Sequence, residues 1–519
     1  MGKLVRWVMA LAVLASPAGA RDLRVGVQSA FVVDPHVLFI GPNMAAARHL
    51  YDSFVGKDAD AHWTPTLATS WRQIDPQTWE FSLRPGVRFS DGSPFTSEDV
   101  VASVRRIPAV PNNPGPYTTN LRTVTGIEAV DAMTIRITTD RPNPLLPGQF
   151  TNIFILAKSS VGAPPEDFSA ARATIGTGPY RLVSFRYGDT AELEPNPFYW
   201  GPKPPWSHVT LRVIGNDAAR EAALLAGDLD LIENVPPEDV ERLRAVRDIA
   251  VFARPADRVA FLLPNVGRDT LPQLLDAQGK PLPDNPLRDL RVRQALSLAL
   301  DRKALVERTL SGQGAATMQL VPEGFGGWDP AVVVPAVDAA GARAKLAEAG
   351  FKDGLGMTLA CPNDRWVADA RVCQAVAQML SRGGFGMKVE TMPGSVFFPR
   401  TRPGKNEWPL ILYELSLSSL RDGQYILQLV GETHDDSRAI GDSNRGGFSD
   451  PALDRIIEAA VVRSDAGRDA AIRHALAETV ARLGVIPMYV EPTIAATRGG
   501  ITYHPRLDQQ LVATEAEPK

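Results

Sequence analysis

The stretch WEFSLRPGVRFSDGSPFTSEDV, residues 79–100, decides the fold of this chain. Polar and apolar residues alternate over residues 80–84, which predicts a half-buried β-strand. The dipeptides Pro-Gly at 85–86 and Asp-Gly at 91–92 each predict a turn, and residues 87–89 alternate again between them. The stretch therefore predicts two short strands separated by turns.

A capped helix completes this unit. Thr96 and Asp99 are three residues apart and form a capping box, which predicts a helix that begins at Ser97. Trp79 and Phe81 have apolar neighbours, and we interpret them as core residues rather than as a surface on which a ligand stacks. Strand, turn, strand, turn and helix in so short a stretch indicate a compact supersecondary unit.

The same stretch resembles the signature of bacterial extracellular solute-binding proteins of family 5, the receptors of ABC importers for peptides, nickel and related solutes. Further motifs of that family follow in the expected order. They are IGTGPYRLV at 175–183, EPNPFYWG at 194–201, AGDLD at 226–230, LRDLRVRQALSLALDRK at 287–303, AEAGFKDG at 347–354 and IPMY at 486–489. The resemblance indicates the fold and the general role, and much less about the ligand.

The resemblance implies an α/β fold with two lobes, the class II type of periplasmic binding protein, in which the ligand lies between lobes that close as hinged domains. The first lobe is expected to be discontinuous and to carry an extra subdomain. The expected divisions are 1–20 for a signal peptide, 21–260 for lobe I with its subdomain at about 66–174, 261–488 for lobe II, and 489–519 for the return to lobe I.

The chain begins with the features of a secretory signal. Lys3 and Arg6 give a positive start, residues 7–15 are apolar, and Ala-Gly-Ala at 18–20 fits a cleavage site. The apolar run is far shorter than the ~20 residues that span a bilayer. We therefore expect cleavage before Arg21 and a mature protein in the periplasm.

The composition excludes some functions and leaves one covalent question open. Charges nearly balance, with a formal net charge of −4, and no basic block predicts nucleic-acid binding. Cys361 and Cys373 are the two cysteines of the sequence. Export permits a disulfide between them, and two free buried thiols are the alternative. The pair lacks the further ligands of a structural zinc site.

The sequence contains no recognisable catalytic motif: the G-x-S-x-G, H-E-x-x-H and P-loop patterns are all absent. We therefore expect a binding protein without catalysis, cofactor or metal, and an exported hydrolase on the same scaffold is the competing class. His434, Asp435 and Asp436 are a local cluster of metal-ligating residue types, which we interpret as a solvated acidic loop.

Three segments resemble, by position, those that line the cleft of the family. They are residues 28–31, residues 144–152 together with Tyr117, and residues 413–422. The candidate ligand-binding residues are Phe31, Tyr117, Gln149, Asn152, Arg400, Tyr413, Ser416, Ser418, Arg421 and Asp422.

The last of these segments departs from the pattern of peptide-binding relatives. Those relatives commonly have W-x-x-D-x-x-D-P there, and the first Asp pairs with the α-ammonium of the peptide. The chain instead has LSLSSLRDG at 415–423, without the Trp or the earlier Asp and with Arg421 added. We therefore expect a ligand that carries a carboxylate, with Arg421 as its anchor and Arg400 and Arg402 as further candidates. A surface pair between Arg421 and a neighbouring carboxylate is the alternative.

The resemblance implies the exported receptor of an ABC importer. We expect a monomer that binds a peptide or peptide-like small molecule between its lobes and delivers it to the permease and ATPase of the inner membrane. An opine-like compound, an oligosaccharide or a nickel complex stays open as the ligand. A ligand sensor that signals without transport stays open as the function.

Overall fold

The computed structural model describes residues 21–111, 113, 115, 117–417 and 420–519, so the predicted signal segment lies outside the described residues. The strands of the described part are β1 (Asp22–Val27), β2 (Gly56–Lys57), β3 (Trp63–Thr64), β4 (Ala68–Asp75), β5 (Thr78–Leu83), β6 (Val124–Asp131), β7 (Thr134–Thr139), β8 (Tyr180–Arg186), β9 (Thr190–Pro195), β10 (His208–Val213), β11 (Leu231–Glu233), β12 (Ile249–Pro264), β13 (Ala315–Ala316), β14 (Leu355–Pro362), β15 (Phe385–Met392), β16 (Leu410–Ser416), β17 (Ile486–Arg498), β18 (Ile501–Tyr503) and β19 (Ala516–Pro518).

Helices cover the faces of the sheets and connect the strands. They are α1 (Gly41–Leu50), α2 (Ser97–Arg106), α3 (Leu146–Gln149), α4 (Pro165–Ser169), α5 (Asp217–Ala226), α6 (Val240–Arg244), α7 (Leu290–Ala299), α8 (Arg302–Ala304), α9 (Ala339–Glu348), α10 (Asp369–Arg382), α11 (Gly394–Arg400), α12 (Gln424–Ile426), α13 (Pro451–Val461) and α14 (Arg468–Ala481). Within the described residues, no helix has both the length and the hydrophobicity needed to cross a bilayer.

One mixed sheet runs through the whole molecule. Its strand order is β15-β14-β16-β12-β17-β11-β1-β10-β9-β8, with β13 paired to β17. We call lobe I the part that contains β1 and β8–β11, and lobe II the part that contains β13–β16. The long strands β12 and β17 lie in the middle of the order and belong to both lobes.

The pairing of β12 with β17 changes register where the chain passes between the lobes. Residues 249–255 pair with the end of β17, and pairing resumes at Val259 after a register shift. A second shift lies between Ala260 and Phe261. Such bulges bend a strand and increase its local twist. We therefore place the crossing of β12 at residues 256–258.

A separate antiparallel sheet, β4-β5-β7-β6, forms the subdomain of lobe I. The predicted capping box is confirmed, because α2 begins at Ser97 and the Asp99 carboxylate accepts the Thr96 N–H at 2.8 Å. The prediction of a second short strand at residues 87–89 is wrong, since these residues do not form a regular strand. Only an isolated bridge joins Arg88 to Pro94, because two turns leave the run too short for a ladder.

The aromatic residues of the signature pack inside the subdomain, as predicted. Phe81 is completely buried, with its ring centroid 5.1 Å from that of Phe54 and 6.2 Å from that of Phe150. Trp79 packs beside it and donates its indole N–H to the Asn143 carbonyl at 3.0 Å. These residues hold the scaffold and do not line the cleft between the lobes.

The two cysteines form a disulfide, which resolves the alternative that the sequence left open. Cys361 lies in β14 and Cys373 in α10, with Cα atoms 6.3 Å apart. The bond joins the two elements that flank the loop at 363–368. This loop is therefore fixed at both ends, which matters because it lines the cavity described below.

We expect the Phe81→Ala variant to be destabilised by about 3–5 kcal/mol, because it leaves a cavity in a core without solvent access. The measurement is the urea midpoint of the subdomain transition, followed by tryptophan fluorescence. Tyr187→Ala is the matched control, since Tyr187 is 71 % exposed and its loss should change stability by less than about 0.5 kcal/mol. Equal midpoints for the two variants would contradict this account of the core.

Candidate functional site

A cavity of about 680 Å³ lies between the lobes, a size typical of small-molecule sites. Lobe I contributes the ends of β1 and β11, lobe II contributes the loop at 363–369, and β12 and β17 form the floor. Residues that decide its chemistry are Gln28, Asp217 and Glu233 in lobe I, Arg365, Trp366 and Asp369 in lobe II, and Arg258, Glu491 and Gln509 at the floor.

A second groove of about 560 Å³ lies on the surface of lobe I. Its lining includes Arg244, Arg254 and His504, all of one lobe. Asp60 already pairs with Arg254 at 2.7 Å, which neutralises part of its charge. The cavity between the lobes is the better candidate, because a hinged protein can enclose a ligand only there.

The carboxylate of Glu491 joins three parts of the chain at the cavity floor. It lies 3.1 Å from the Arg258 guanidinium of β12 and accepts the side-chain amide of Gln509 at 2.8 Å. Its other oxygen accepts the backbone N–H of Val367, in the lobe II loop, at 2.6 Å. Glu491 therefore connects the hinge, the C-terminal segment and the wall of lobe II.

Arg365 presents a positive charge to the cavity. Its side chain is exposed to the cleft and makes no hydrogen bond or ion pair with a residue that the structure describes. Partial burial lowers the pKa of Arg365, and the nearby charge of Arg258 lowers it further, while Glu491 opposes this. The two guanidiniums therefore lie near enough to affect each other, and Glu491 acts on both of them.

The loop that carries Arg365 is rigid because Asp369 organises it. The buried Asp369 carboxylate accepts the backbone N–H groups of Arg365 at 2.9 Å and Trp366 at 3.2 Å. The Trp366 ring packs edge-on against Phe398 and Tyr413, with centroids 6.0 and 5.6 Å away. A rigid support limits the entropy that a binding group loses when it engages a ligand.

Two further buried carboxyl groups lie beside the floor. Asp257 is in β12, and Glu414 is in the neighbouring strand β16. Burial, opposed by Arg258, raises the pKa of Asp257 to about 6, and Ser416 donates to its oxygens at 3.0 Å. Burial and then the charge of Glu491 raise the pKa of Glu414 well above its ordinary value. Tyr489 donates to Glu414 at 2.8 Å. The neutral form of Glu414 is thus favoured, and it does little to offset the guanidiniums.

Two ion pairs link the lobes around the cavity. Glu238 of lobe I accepts from Arg371 of α10 at 2.6 Å. Arg122 of the subdomain pairs with Asp442 of lobe II at 2.6 Å and also donates to the Ala439 carbonyl. The described conformation is therefore one in which the lobes touch each other on two sides.

The acidic loop at 434–442 brings His434, Asp436 and Asp442 together, with one ligand atom of each within 4.8 Å of the others. Arg122 neutralises part of this charge through Asp442, and His434 lies 3.3 Å from the Asp436 carboxylate. The interpretation of this loop as a solvated acidic segment stays a prediction.

The structure places the first two candidate residues in the core of lobe I. Phe31 is buried, with its ring centroid 5.7 Å from that of Phe185. Tyr117 is completely buried beside Phe39, with centroids 4.9 Å apart. Gln28 and Ser29, in the same segment as Phe31, do line the cavity.

Gln149 and Asn152 lie in the subdomain, where their side chains bond to other subdomain residues. Gln149 accepts from the Asn143 amide at 3.0 Å. Asn152 is buried and donates to Asn120 at 3.4 Å. Neither residue lines the cavity between the lobes.

The candidates of lobe II lie mostly behind its wall. Tyr413 is buried, and the Arg445 guanidinium lies 4.7 Å from its ring centroid. Ser416 bonds to Asp257 beside the floor. Arg400 lies over the Trp408 ring at 4.4 Å.

The proposed anchor and its neighbour also have other partners. Arg421 donates to the Gly324 carbonyl at 3.0 Å, and Asp422 pairs with Arg468 at 3.1 Å. Neither lines the cavity, and the surface pair between Arg421 and Asp422 is not formed. Ser418 lies outside the described residues. The structure therefore does not bring the nine described candidates together at one site.

The sequence contained usable signals for the residues that do line the cavity. Polar residues 363–365 follow β14, which is parallel to both of its neighbours, and ligands in such sheets bind beyond the carboxyl ends of the strands. Arg258 and Glu491 are charges within otherwise apolar strands. Buried charges of this kind are commonly functional.

Comparison with known proteins identifies the family. Residues 62–437 match the model described as "Bacterial extracellular solute-binding proteins, family 5 Middle". The chain belongs to this family. It is 28 % identical over 356 residues to the probable D,D-dipeptide-binding periplasmic protein DdpA of Escherichia coli K12, covering 67 % of this chain. The match spans 64 % of that relative, which is just under two thirds of its length.

A further curated relative and two solved structures are also similar to this chain. The glutathione-binding protein GsiB of Escherichia coli K12 is 28 % identical over 398 residues, 75 % of this chain and 73 % of its own. The murein tripeptide-binding protein MppA, in its unliganded open form, superimposes with a TM-score of 0.77 at 22 % identity, covering 97 % of this chain and 99 % of its own. The structure of NikA of Brucella suis superimposes with a TM-score of 0.80 at 21 % sequence identity. The superposition covers 96 % of this chain and 100 % of NikA. The predicted two-lobe fold and the solute-binding role are confirmed.

The raised pKa of Asp257 has a consequence for stability. Below about pH 3 both the folded and the unfolded states hold the proton, and no penalty arises. As pH rises to 6 the unfolded state loses its proton first, so the wild type should lose about 2–3 kcal/mol relative to Asp257→Asn. Thermal unfolding of both proteins between pH 4 and 7 measures this difference. The control Asp269→Asn, with a side chain that is 88 % exposed and paired with Arg288, should show a much smaller trend.

Proposed function

We propose that this protein is the periplasmic receptor of an ABC importer, and that it captures a small peptide or peptide-like solute through a carboxylate of that solute. The observation that supports this is the guanidinium of Arg365, which faces the cavity without a partner among the described residues, beside Arg258. The solute would lie between the lobes and pass to the permease and its ATPase in the inner membrane.

A carboxylate is the ligand group that fits this floor. Guanidinium groups bind carboxylates through two parallel hydrogen bonds, and such bonds are stronger where water is scarce. Glu491 already pairs with Arg258, whereas Arg365 makes no ion pair with a described residue. A carboxylate of a ligand would therefore supply the partner that Arg365 lacks.

The relatives favour a peptide-like solute. DdpA is named for D,D-dipeptides and GsiB for glutathione, and both are short peptides that carry free carboxylates. The cavity of about 680 Å³ has the size of such a molecule. Among the ligands that the family resemblance left open, we propose the short peptide for this chain.

The cross-lobe contacts support capture by closure. The pair Glu238–Arg371 joins the two lobes beside the cavity, and opening of the lobes would break it. We propose a monomer that opens at β12 and β17, binds its solute without catalysis, and closes over it.

We expect Arg365→Ala to bind its solute about 30-fold to several-thousand-fold more weakly, because removal of one partner of a buried charged pair costs about 2–5 kcal/mol. Mass spectrometry of protein purified from its native periplasm identifies the solute, and calorimetry measures its affinity. Arg421→Ala is the matched control. It removes the same group from a residue that bonds to Gly324 instead, and should change affinity less than about threefold.

If Arg421→Ala weakened binding of the solute more than Arg365→Ala did, Arg421 would be the residue that binds the carboxylate. A solute without any acidic group would contradict the proposed function itself.

We also expect the mature protein to begin at Arg21, since the A-x-A site at 18–20 directly precedes it. N-terminal sequencing of periplasmic material measures this. A protein that retains Lys3 would contradict the proposed export.

A further inference from the structure

Opposite the two guanidiniums, the wall of lobe I carries a carboxylate with no ionic partner among the described residues. Glu233 is the last residue of β11 and lines the cavity. One of its oxygens accepts the backbone N–H of Gln28 at 2.8 Å. No other hydrogen bond and no ion pair joins its side chain to a described residue.

The Arg220 guanidinium, a buried cation near Glu233, already bonds to other groups. The Arg220 guanidinium donates to Asp217 at 2.7 Å, to the Ile214 carbonyl at 2.8 Å and to the Asn234 carbonyl at 3.0 Å. It reaches only the backbone carbonyl of Glu233, at 3.1 Å. Arg220 therefore supports the loop after β11 and leaves the Glu233 carboxylate facing the cavity.

The other carboxylates of this wall have cationic partners. Asp217 pairs with Arg220, and Glu238 pairs with Arg371. Asp508 lies 3.1 Å from the Lys57 ammonium. Glu233 differs from them, and burial in the cleft raises its pKa, opposed by the Gln28 N–H and by Arg220.

We propose that Glu233 is the specificity residue that binds a cationic group, most simply an ammonium, of the solute. This inference rests on the proposed function, because it assigns the second charged group of the same cargo. An ammonium would supply the ionic partner that Glu233 lacks, and charge-assisted hydrogen bonds of this kind are among the strong ones.

The resulting cavity has two poles. Arg258 and Arg365 are at the floor and the lobe II wall, and Glu233 is on the lobe I wall. A zwitterionic solute would place its carboxylate beside Arg258 and Arg365 and its ammonium beside Glu233. The segment at 415–423, where peptide-binding relatives place their ammonium-binding Asp, has no Asp at that position. In this proposal the ammonium of the cargo therefore lies on the lobe I wall and not beside the segment at 415–423.

Both lobes then contact the same solute through charged groups. A solute with only one of the two charges would engage one wall alone and would favour closure less, because a ligand shifts a conformational equilibrium only by its differential affinity for the two states.

The experiment is calorimetry with Ala-Ala, Ala-Ala-Ala and glutathione, followed by the N-acetylated and C-amidated forms of each peptide that binds. The proteins are the wild type, Glu233→Gln, and Glu241→Gln as the matched control. Glu241 lies in α6 of the same lobe, outside the cavity, with a side chain 76 % exposed. Glutamine keeps the shape and the acceptor that Gln28 requires, so Glu233→Gln should fold.

We expect Glu233→Gln to bind the free-amine peptide about 10- to 100-fold more weakly than the wild type does, since a hydrogen bond to a charged group is lost. For the N-acetylated peptide the two proteins should agree within about threefold. The control Glu241→Gln should follow the wild type with both peptides.

Two results would overturn this inference alone. One is a wild type that binds the free-amine and N-acetylated peptides equally well while rejecting the C-amidated peptide. The other is a Glu233→Gln variant that loses affinity equally for both. If none of the three peptides binds, the proposed function fails for short peptides, and this inference fails with it.

Discussion

The antiparallel pairing of β12 with β17 is the constraint on which the rest of the structure depends, because these strands alone in the main sheet belong to both lobes. The sheet is continuous, so the lobes cannot slide past each other without breaking the ladder. The register shifts between Pro255 and Phe261 supply the local freedom to bend. The cavity lies beside this irregular part of β12, since Arg258 lines it.

The Glu491 side chain joins three separate parts of the chain beside these strands. Its carboxylate holds Arg258 in β12, the amide of Gln509 in the C-terminal segment and the backbone of Val367 in lobe II. A buried carboxylate with three such partners is satisfied in this arrangement and would be costly to leave alone. The described position of the lobe II loop is thus tied to the hinge rather than only to its own lobe.

The sequence predicted the fold well because its signals are local. Thr96 with Asp99 capped α2, and Asn216 capped α5 by accepting the Ala219 N–H, with Gly227 ending that helix at a φ of +83°. Most of the residues that line the cavity were not predicted, because they are far apart in the chain. Arg258, Arg365 and Glu491 meet only after both lobes are assembled. The segment at 413–422 was chosen because it resembles, by position, a cleft segment of the family. Its Tyr413 is buried in the interior of lobe II and does not face the cavity.

The bulge of β12 also contains Arg258, a residue of the cavity floor. Any force that spreads the lobes therefore displaces a guanidinium that faces the solute chamber and disturbs its contact with Glu491. Where a solute binds Arg258 as proposed, opening of the lobes would also weaken its binding, because the irregular part of β12 and the proposed binding surface share the same backbone.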